Sequence, residues 1–99
     1  MYITMTGGKV TPEPARLVEE FLAGFLPRMK EFPGVRAIYH FYRPDKGADE
    51  TIVVWENEDA VKAYRTSALI KEPLAFEQAH NLITSREGYP LIFAENRQM

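Results

Sequence analysis

Val53-Val54-Trp55-Glu56-Asn57-Glu58-Asp59-Ala60 is a junction at which a strand gives way to a helix. The strand, predicted over residues 50–56, alternates apolar side chains onto both of its faces. Asn57 can accept hydrogen bonds from the free amide groups that open a helix, as N-cap residues do. The helix that follows then turns a short apolar stripe inward, formed by Ala60, Val61 and Tyr64.

Upstream of this junction the pattern predicts a strand, a helix and a second strand. Residues 2–6 alternate like a strand, and Gly7-Gly8 predicts a bulge or bend. A helix begins at Thr11-Pro12, and Pro27 should kink it or separate its last turn. Its inward stripe is formed by Leu17, Phe21, Phe25 and Met29.

The second strand is predicted over residues 35–43, after a stop signal at Pro33-Gly34. One face carries Val35, Ala37, Tyr39 and Phe41, and the other carries Arg36, Ile38, His40 and Tyr42. A polar turn at residues 44–47 should join it to the strand at 50–56 as a hairpin.

Downstream of the junction we predict a third helix over residues 69–83 and a last strand over 89–95. The complete order is strand, helix, strand, strand, helices, strand. This order is typical of an α+β, ferredoxin-like domain, in which a four-stranded antiparallel sheet carries its helices on one face. Ninety-nine residues are enough for one such domain, which we place over residues 1–99.

Composition excludes several classes of function. Twelve basic and fourteen acidic residues, scattered along the chain, give no basic face for nucleic acid. No apolar run approaches the roughly 20 residues that cross a membrane. The absence of cysteine excludes disulfides, thiolate catalysis and cysteine-bound metal, and it fits the cytoplasmic location that we expect. Asp45, Asp49 and Glu50 are expected to be solvated, and no spacing of carboxylates and histidines predicts a metal site.

Both faces of the second strand are rich in aromatic and apolar residues. One face offers Tyr39 and Phe41, and the other offers Ile38 and Tyr42. Helices can cover only one of them, and monomers seldom expose a large apolar patch. We therefore predict a homodimer in which a second copy covers the other face, the alternative being a surface that is merely rich in aromatic residues.

Certain short motifs resemble the antibiotic biosynthesis monooxygenase family. Phe32-Pro33-Gly34-Val35 ends the first helix and opens the second strand as it does in that family. The segment 54–60 is similar to the family's Trp-Glu-Ser-Glu-Glu-Ala-like string. Tyr64 then stands where the family often has an aromatic residue, and Ser67 opens the next helix in a similar way.

This resemblance implies a dimeric α+β barrel with a pocket between sheet and helices in each protomer. Several family members oxygenate phenols, quinols or anthrones without metal, flavin or haem, because the substrate anion itself reduces dioxygen. Others degrade haem, process small signalling sugars or have no known activity. The function predicted is thus a cofactor-independent monooxygenase acting on an aromatic, quinol or anthrone-like small molecule. The alternative is a non-catalytic dimeric module that binds a small ligand.

Haem degradation is the less favoured branch. That branch has an Asn on the first strand, a Trp on the second helix and a His on the third. The first strand here has Thr4, Met5 and Thr6, and Tyr64 takes the place of the Trp. Only His80 matches.

Two histidines are candidates for the base that removes a substrate proton. His80 falls on the helical stripe of Phe76 and Ile83, which predicts that it faces the cavity. The alternatives are a core histidine hydrogen-bonded to backbone and a histidine that extends to solvent at the edge of the helix. His40 shares a strand face with Tyr42, and it lines the same cavity only if that face meets the helices.

Five further residues are candidates for substrate binding. Trp55, Tyr64, Phe76 and Tyr42 could provide aromatic walls, although ordinary packing also accounts for Trp55 and Tyr64. Arg86 could bind a substrate anion, pair across the dimer or form a surface salt bridge.

Overall fold

The computed structural model describes residues 1–10 and 12–95. Within them the chain forms an antiparallel sheet with strand order β2-β3-β1-β4, the ferredoxin-like α+β fold that the element order predicts. The elements are β1 (Tyr2–Lys9), α1 (Pro12–Lys30), β2 (Val35–Arg43), β3 (Ala48–Trp55), α2 (Glu58–Arg65), α3 (Lys71–Ala79) and β4 (Ser85–Pro90).

The core lies between the helices and one face of the sheet, and the junction after β3 sits at its centre. Trp55 is 1 % exposed, and the rings of Phe32 and Tyr64 lie 6.5 Å and 5.4 Å from it. Asn57 caps α2 as predicted, since its Oδ1 accepts a 2.9 Å hydrogen bond from the amide of Ala60. The predicted stripe of α2 is likewise directed into the core, where Val61 and Tyr64 are buried.

β1 is more regular than its sequence indicates. It pairs with β3 without a register shift through Gly7 and Gly8, so the predicted bulge or bend there is wrong. A Cβ at Gly8 would lie 2.4 Å from the carbonyl oxygen of Ile83. The glycine therefore permits a close approach of the chain before β4 rather than a bend.

α1 continues through Pro27 to Lys30, so Pro27 does not separate the last turn. Phe25 and Met29 are buried in the predicted stripe, whereas Leu17 is exposed. Thr11, the predicted cap, lies outside the described residues.

β2 contains an irregularity that the alternation of its residues does not reveal. Its register against β3 shifts between Val35, which pairs with Trp55, and Ala37, which pairs with Val54. Val35 consequently packs against the helix-side core, while Ala37 lies on the opposite face. The prediction that these two residues share a face is wrong.

α3 ends at Ala79, four residues earlier than predicted. Asn81 adopts a left-handed conformation with φ 54°, and the amides of Asn81 and Leu82 donate to the carbonyls of Gln78 and Glu77 at 3.3 and 2.9 Å. This is a Schellman ending with Asn in the position usually taken by Gly.

β4 is also displaced from its predicted range of 89–95. It runs over Ser85–Pro90, because these residues pair with β1 in antiparallel register, Ser85 with Gly7 and Pro90 with Tyr2. Polar residues fill most of it, which is why its own alternation gave a weak signal.

Candidate functional site

A cavity of about 110 Å³ lies between the helix-side face of the sheet and the three helices. Thr4, Thr6, Thr51, Val53, Trp55 and Arg86 are among the residues that line it from the sheet. Phe21, Phe25, Met29, Tyr64, Pro73 and Phe76 are among those that line it from the helices.

Five aromatic side chains contribute to the walls of the cavity, among mostly aliphatic and small residues. The ring of Tyr64 is tilted by 43° against that of Trp55, and Phe21 and Phe76 stack with centroids 4.4 Å apart. The structure thus brings three of the predicted binding residues, Trp55, Tyr64 and Phe76, to one cavity. Such surfaces suit a flat apolar ring.

Trp55 is held in place by a polar contact within the same wall. Its indole Nε1 donates a 2.9 Å hydrogen bond to the hydroxyl of Thr4, which is itself buried. The indole is therefore both a core residue and a cavity wall, so packing and a role in the wall are compatible.

Tyr64 presents a neutral hydroxyl in this setting. Burial raises the pKa of Tyr64 to about 12, the positive charge of Arg86 opposes the rise, and Glu77 and Glu72 add to it. The hydroxyl makes no hydrogen bond to any of the other residues that the structure describes. At neutral pH it can therefore donate a hydrogen bond to a ligand oxygen.

Arg86 pairs within its own chain. Its Nη1 donates to Oε1 of Glu77 at 2.8 Å, and its Nη2 donates to Oε2 of the same carboxylate. The two side chains are 25 % and 17 % exposed, and the hydrogen bond to Glu77 raises the pKa of Arg86. Of the three predicted alternatives, the contact seen is a salt bridge, but one on the cavity wall rather than on the open surface.

His40 lies on the helix side of the sheet, which answers the question its sequence left open. Its Nδ1 lies 3.0 Å from the hydroxyl of Thr51 and 3.3 Å from Oδ1 of Asp49. Thr51 and Asp49 line the cavity, so His40 stands directly behind that wall.

Asp49 was predicted to be solvated, and that prediction is wrong. Its side chain is 7 % exposed, because Asp49 faces the helices in the same alternation as Thr51, Val53 and Trp55. Burial raises the pKa of Asp49, and the neighbouring His40 partly offsets this. Counting back in steps of two from Trp55 is the signal that identifies Asp49 as inward-facing.

His80 does not point into the cavity, contrary to its prediction. It follows the last residue of α3, is exposed, and its Nδ1 lies 2.9 Å from the carbonyl oxygen of Phe76. The Schellman ending at Asn81 turns it toward an open depression that it shares with Lys9, Val10 and Pro14.

Tyr42 shares the helix-side face with His40 and pairs in register with Asp49, but it is not among the residues that line the cavity. No group of three or more His, Asp or Glu side chains within residues 1–10 and 12–95 could hold a metal ion. In the same part of the chain, the helices lack the length and hydropathy needed to cross a membrane.

No family model and no curated protein matches this sequence. Solved structures, however, match along nearly its whole length. A Deinococcus radiodurans protein, provisionally named an antibiotic biosynthesis monooxygenase, superposes with a TM-score of 0.85 at 14% identity over 100% of both chains.

Two further structures extend this likeness. The protein NE2512 of Nitrosomonas europaea, of unknown function, gives a TM-score of 0.79 at 15% identity over 99% of this chain and 95% of that one. A variant of SnoaB, a cofactor-independent oxygenase from Streptomyces nogalater, superposes with a TM-score of 0.75 at 17% identity over 94% of this chain and 94% of that one. The chain thus has the fold of the antibiotic biosynthesis monooxygenase structures, and the predicted resemblance is confirmed at the level of the fold.

Proposed function

We propose that this protein is a cofactor-independent monooxygenase that oxidises a single-ring phenol or quinol inside the cavity. The observation that carries the proposal is a small cavity walled by Trp55, Tyr64 and Phe76 in a fold shared with a cofactor-independent oxygenase. Its 110 Å³ is below the roughly 300–1,000 Å³ of most ligand pockets and near the ~150 Å³ of an apolar cavity that binds benzene. One ring suits this volume, whereas a three-ring anthrone would require the walls to move.

The proposed reaction needs no added reductant. A phenol and dioxygen yield a quinone and water, so the substrate supplies all four electrons. One oxygen atom enters the ring, and the other leaves as water with the two hydrogens that the substrate loses. The protein contributes deprotonation, orientation and exclusion of bulk water.

The side chains around the cavity fit these tasks. The neutral hydroxyl of Tyr64 can donate to a substrate oxygen, and the guanidinium group of Arg86, paired with Glu77, lies on the same wall. Of the two predicted bases, His40 is favoured, because it adjoins the cavity wall while His80 lies on the outer surface.

We propose further that the protein acts as a homodimer. Tyr39, Phe41 and Tyr89 lie on the sheet face that the helices do not cover and are 57%, 42% and 50% exposed. The sheet of a second copy would bury them, as aligned packing of two sheets does in β-sandwiches.

Oxygen uptake with a panel of single-ring phenols and quinols, and with anthrone, tests the function. We expect uptake of one dioxygen per single-ring substrate, one ¹⁸O atom in the product, and little turnover of anthrone. Tyr64→Phe should retain the fold and lose most of the rate. Binding of these ligands without oxygen uptake would contradict the proposal and favour the non-catalytic binding module.

Haemin provides a separate control. Because His80 lies outside the cavity and the cavity is small, titration with haemin should leave the Soret band of haemin unshifted. A saturable Soret shift that His80→Ala abolishes would instead favour the haem-binding branch.

A further inference from the structure

We propose that Thr51 and His40 relay a phenolic proton out of the cavity, and that Asp49 stabilises the imidazolium ion so formed. This inference rests on the proposed function, since it assumes that a phenol binds in the cavity. It assigns the deprotonation step to a chain of three side chains rather than to one base.

Thr51 is the member of the chain whose hydroxyl can exchange a proton with a ligand. It lines the cavity, it is 9 % exposed, and its hydroxyl lies 3.0 Å from Nδ1 of His40, its partner in the β2–β3 register. A hydroxyl can accept one proton while it donates its own, so it can pass a proton without acquiring a lasting charge.

Asp49 lies beside the nitrogen of His40 that would receive the proton. Its Oδ1 lies 3.3 Å from the same ring nitrogen, and its Oδ2 is buried with no hydrogen-bond partner in the described part of the chain. A buried carboxylate that lacks a hydrogen-bond partner on one oxygen destabilises the fold. A proton that arrives on His40 would give the carboxylate of Asp49 a positively charged partner, so the two side chains would form an ion pair.

The charges around the pair are mostly negative. Glu19 of α1 and the adjacent Glu50, whose side chain lies on the other face of the sheet, both raise the pKa of Asp49, and the phenol of Tyr42 lies opposite Asp49 in the β2–β3 register. Arg43 is the nearby cation, and it is already paired with Glu50 at 2.9 Å.

The step conserves atoms and electrons. The phenolic O–H bond breaks, its electron pair stays on the substrate oxygen, and its proton binds Oγ1 of Thr51. The proton that Thr51 held moves to Nδ1 of His40, which begins as the Nε2–H tautomer. The contact of Nδ1 with the hydroxyl of Thr51 is 3.0 Å, shorter than its 3.3 Å contact with Asp49, which suits a ring nitrogen that accepts from the hydroxyl.

A purely structural role for the cluster makes a different prediction, and 4-nitrophenol separates the two. Its ionisation is visible in its absorption spectrum, it has one ring, and it does not need to react with oxygen. Quenching of Trp55, the only tryptophan in the chain, reports binding, and nitrobenzene serves as a ligand of similar shape without a proton.

We expect the wild-type protein to bind 4-nitrophenol with its pKa lowered by about one unit, which corresponds to about tenfold in ionisation. Thr51→Val and Asp49→Asn should abolish that shift while nitrobenzene affinity is unchanged, and Thr51→Ser should restore it. Equal ionisation in wild type and Thr51→Val, or failure of the wild type to bind either ligand, would overturn the relay. Ionisation without oxygen uptake on any substrate would leave the relay standing and refute the oxygenase instead.

Discussion

The guanidinium group of Arg86 on β4 and the carboxylate of Glu77 on α3 meet in a two-point ion pair beside the cavity, with Nη1 and Oε1 2.8 Å apart. The pair fastens α3 to the edge of the sheet. A second ion pair, between Arg28 and Glu72, joins the start of α3 to α1, and both of its side chains are exposed to solvent.

Glu77→Gln should loosen α3 and speed the exchange of ligands with the cavity. A partly buried charged hydrogen bond is worth about 1.5–3 kcal/mol, and each ~1.4 kcal/mol lost from the closed state raises an opening rate about tenfold. Stopped-flow quenching of Trp55 by nitrobenzene measures that rate. Glu72→Gln breaks the exposed pair and is the matched control, for which we expect little change. Equal rates in the two variants would show that the Arg86–Glu77 pair does not hold the cavity closed.

Thr4→Val should destabilise the fold, because it removes the acceptor of the buried Trp55 indole N–H. The expected loss in the free energy of unfolding is about 1–3 kcal/mol, the usual result of leaving a buried donor unpaired. Urea unfolding followed by tryptophan fluorescence measures it, and Thr4→Ser should retain most of the stability. A Thr4→Val protein as stable as Thr4→Ser would show that the hydroxyl contributes nothing.

Ionisation of the Tyr64 hydroxyl should lower the free energy of unfolding at alkaline pH. Its pKa is about 12 in the folded protein against an ordinary value of 10.0, so the folded state holds the proton more tightly. Its contribution is complete below pH 10 and is lost as the pH rises through the folded value, by up to about 2 kcal/mol. Tyr64→Phe should flatten this decline in chemical unfolding measured from pH 9 to 12. An identical decline in both proteins would contradict the assignment.

Tyr39→Lys should separate the proposed dimer, because it places a charge in the apolar face that a second copy would cover. Light scattering should give the wild type a mass near twice 11.4 kDa and the variant a mass near 11.4 kDa. Leu74→Lys is a matched control, since Leu74 is also exposed but lies on α3, on the helix side. A monomeric wild type, or equal effects of both substitutions, would refute this interface.

The parts of the fold that depend on neighbouring residues were predictable from the sequence. Asn57 caps α2 through a hydrogen bond spanning three residues, and the stripe of Val61 and Tyr64 requires only helical spacing. Three of the candidate wall residues follow from the same reasoning, because Trp55, Tyr64 and Phe76 lie on apolar faces.

The errors concern residues whose setting depends on distant parts of the chain. His80 matched the helical stripe, but Asn81 ends α3 in a left-handed conformation that is uncommon for any residue except Gly. Asp49 belongs to a polar stretch near a turn, and only its pairing with Gly8 and its approach to α1 make it buried. The polar residues of β4 form a strand because they pair with the edge of β1 that β3 does not use, where backbone N–H and C=O groups need partners.

Arg36 is the extra residue that the register shift between Val35 and Ala37 accommodates. Its side chain is exposed, and without it the pairs Val35–Trp55 and Ala37–Val54 would follow one another directly. Substitution and deletion at residue 36 should therefore both leave His40 opposite Thr51, on the helix side of the sheet. A one-residue deletion between Ala37 and His40 would instead turn His40 to the other face. In descendants of this chain, changes in the length of β2 should therefore be confined to residue 36.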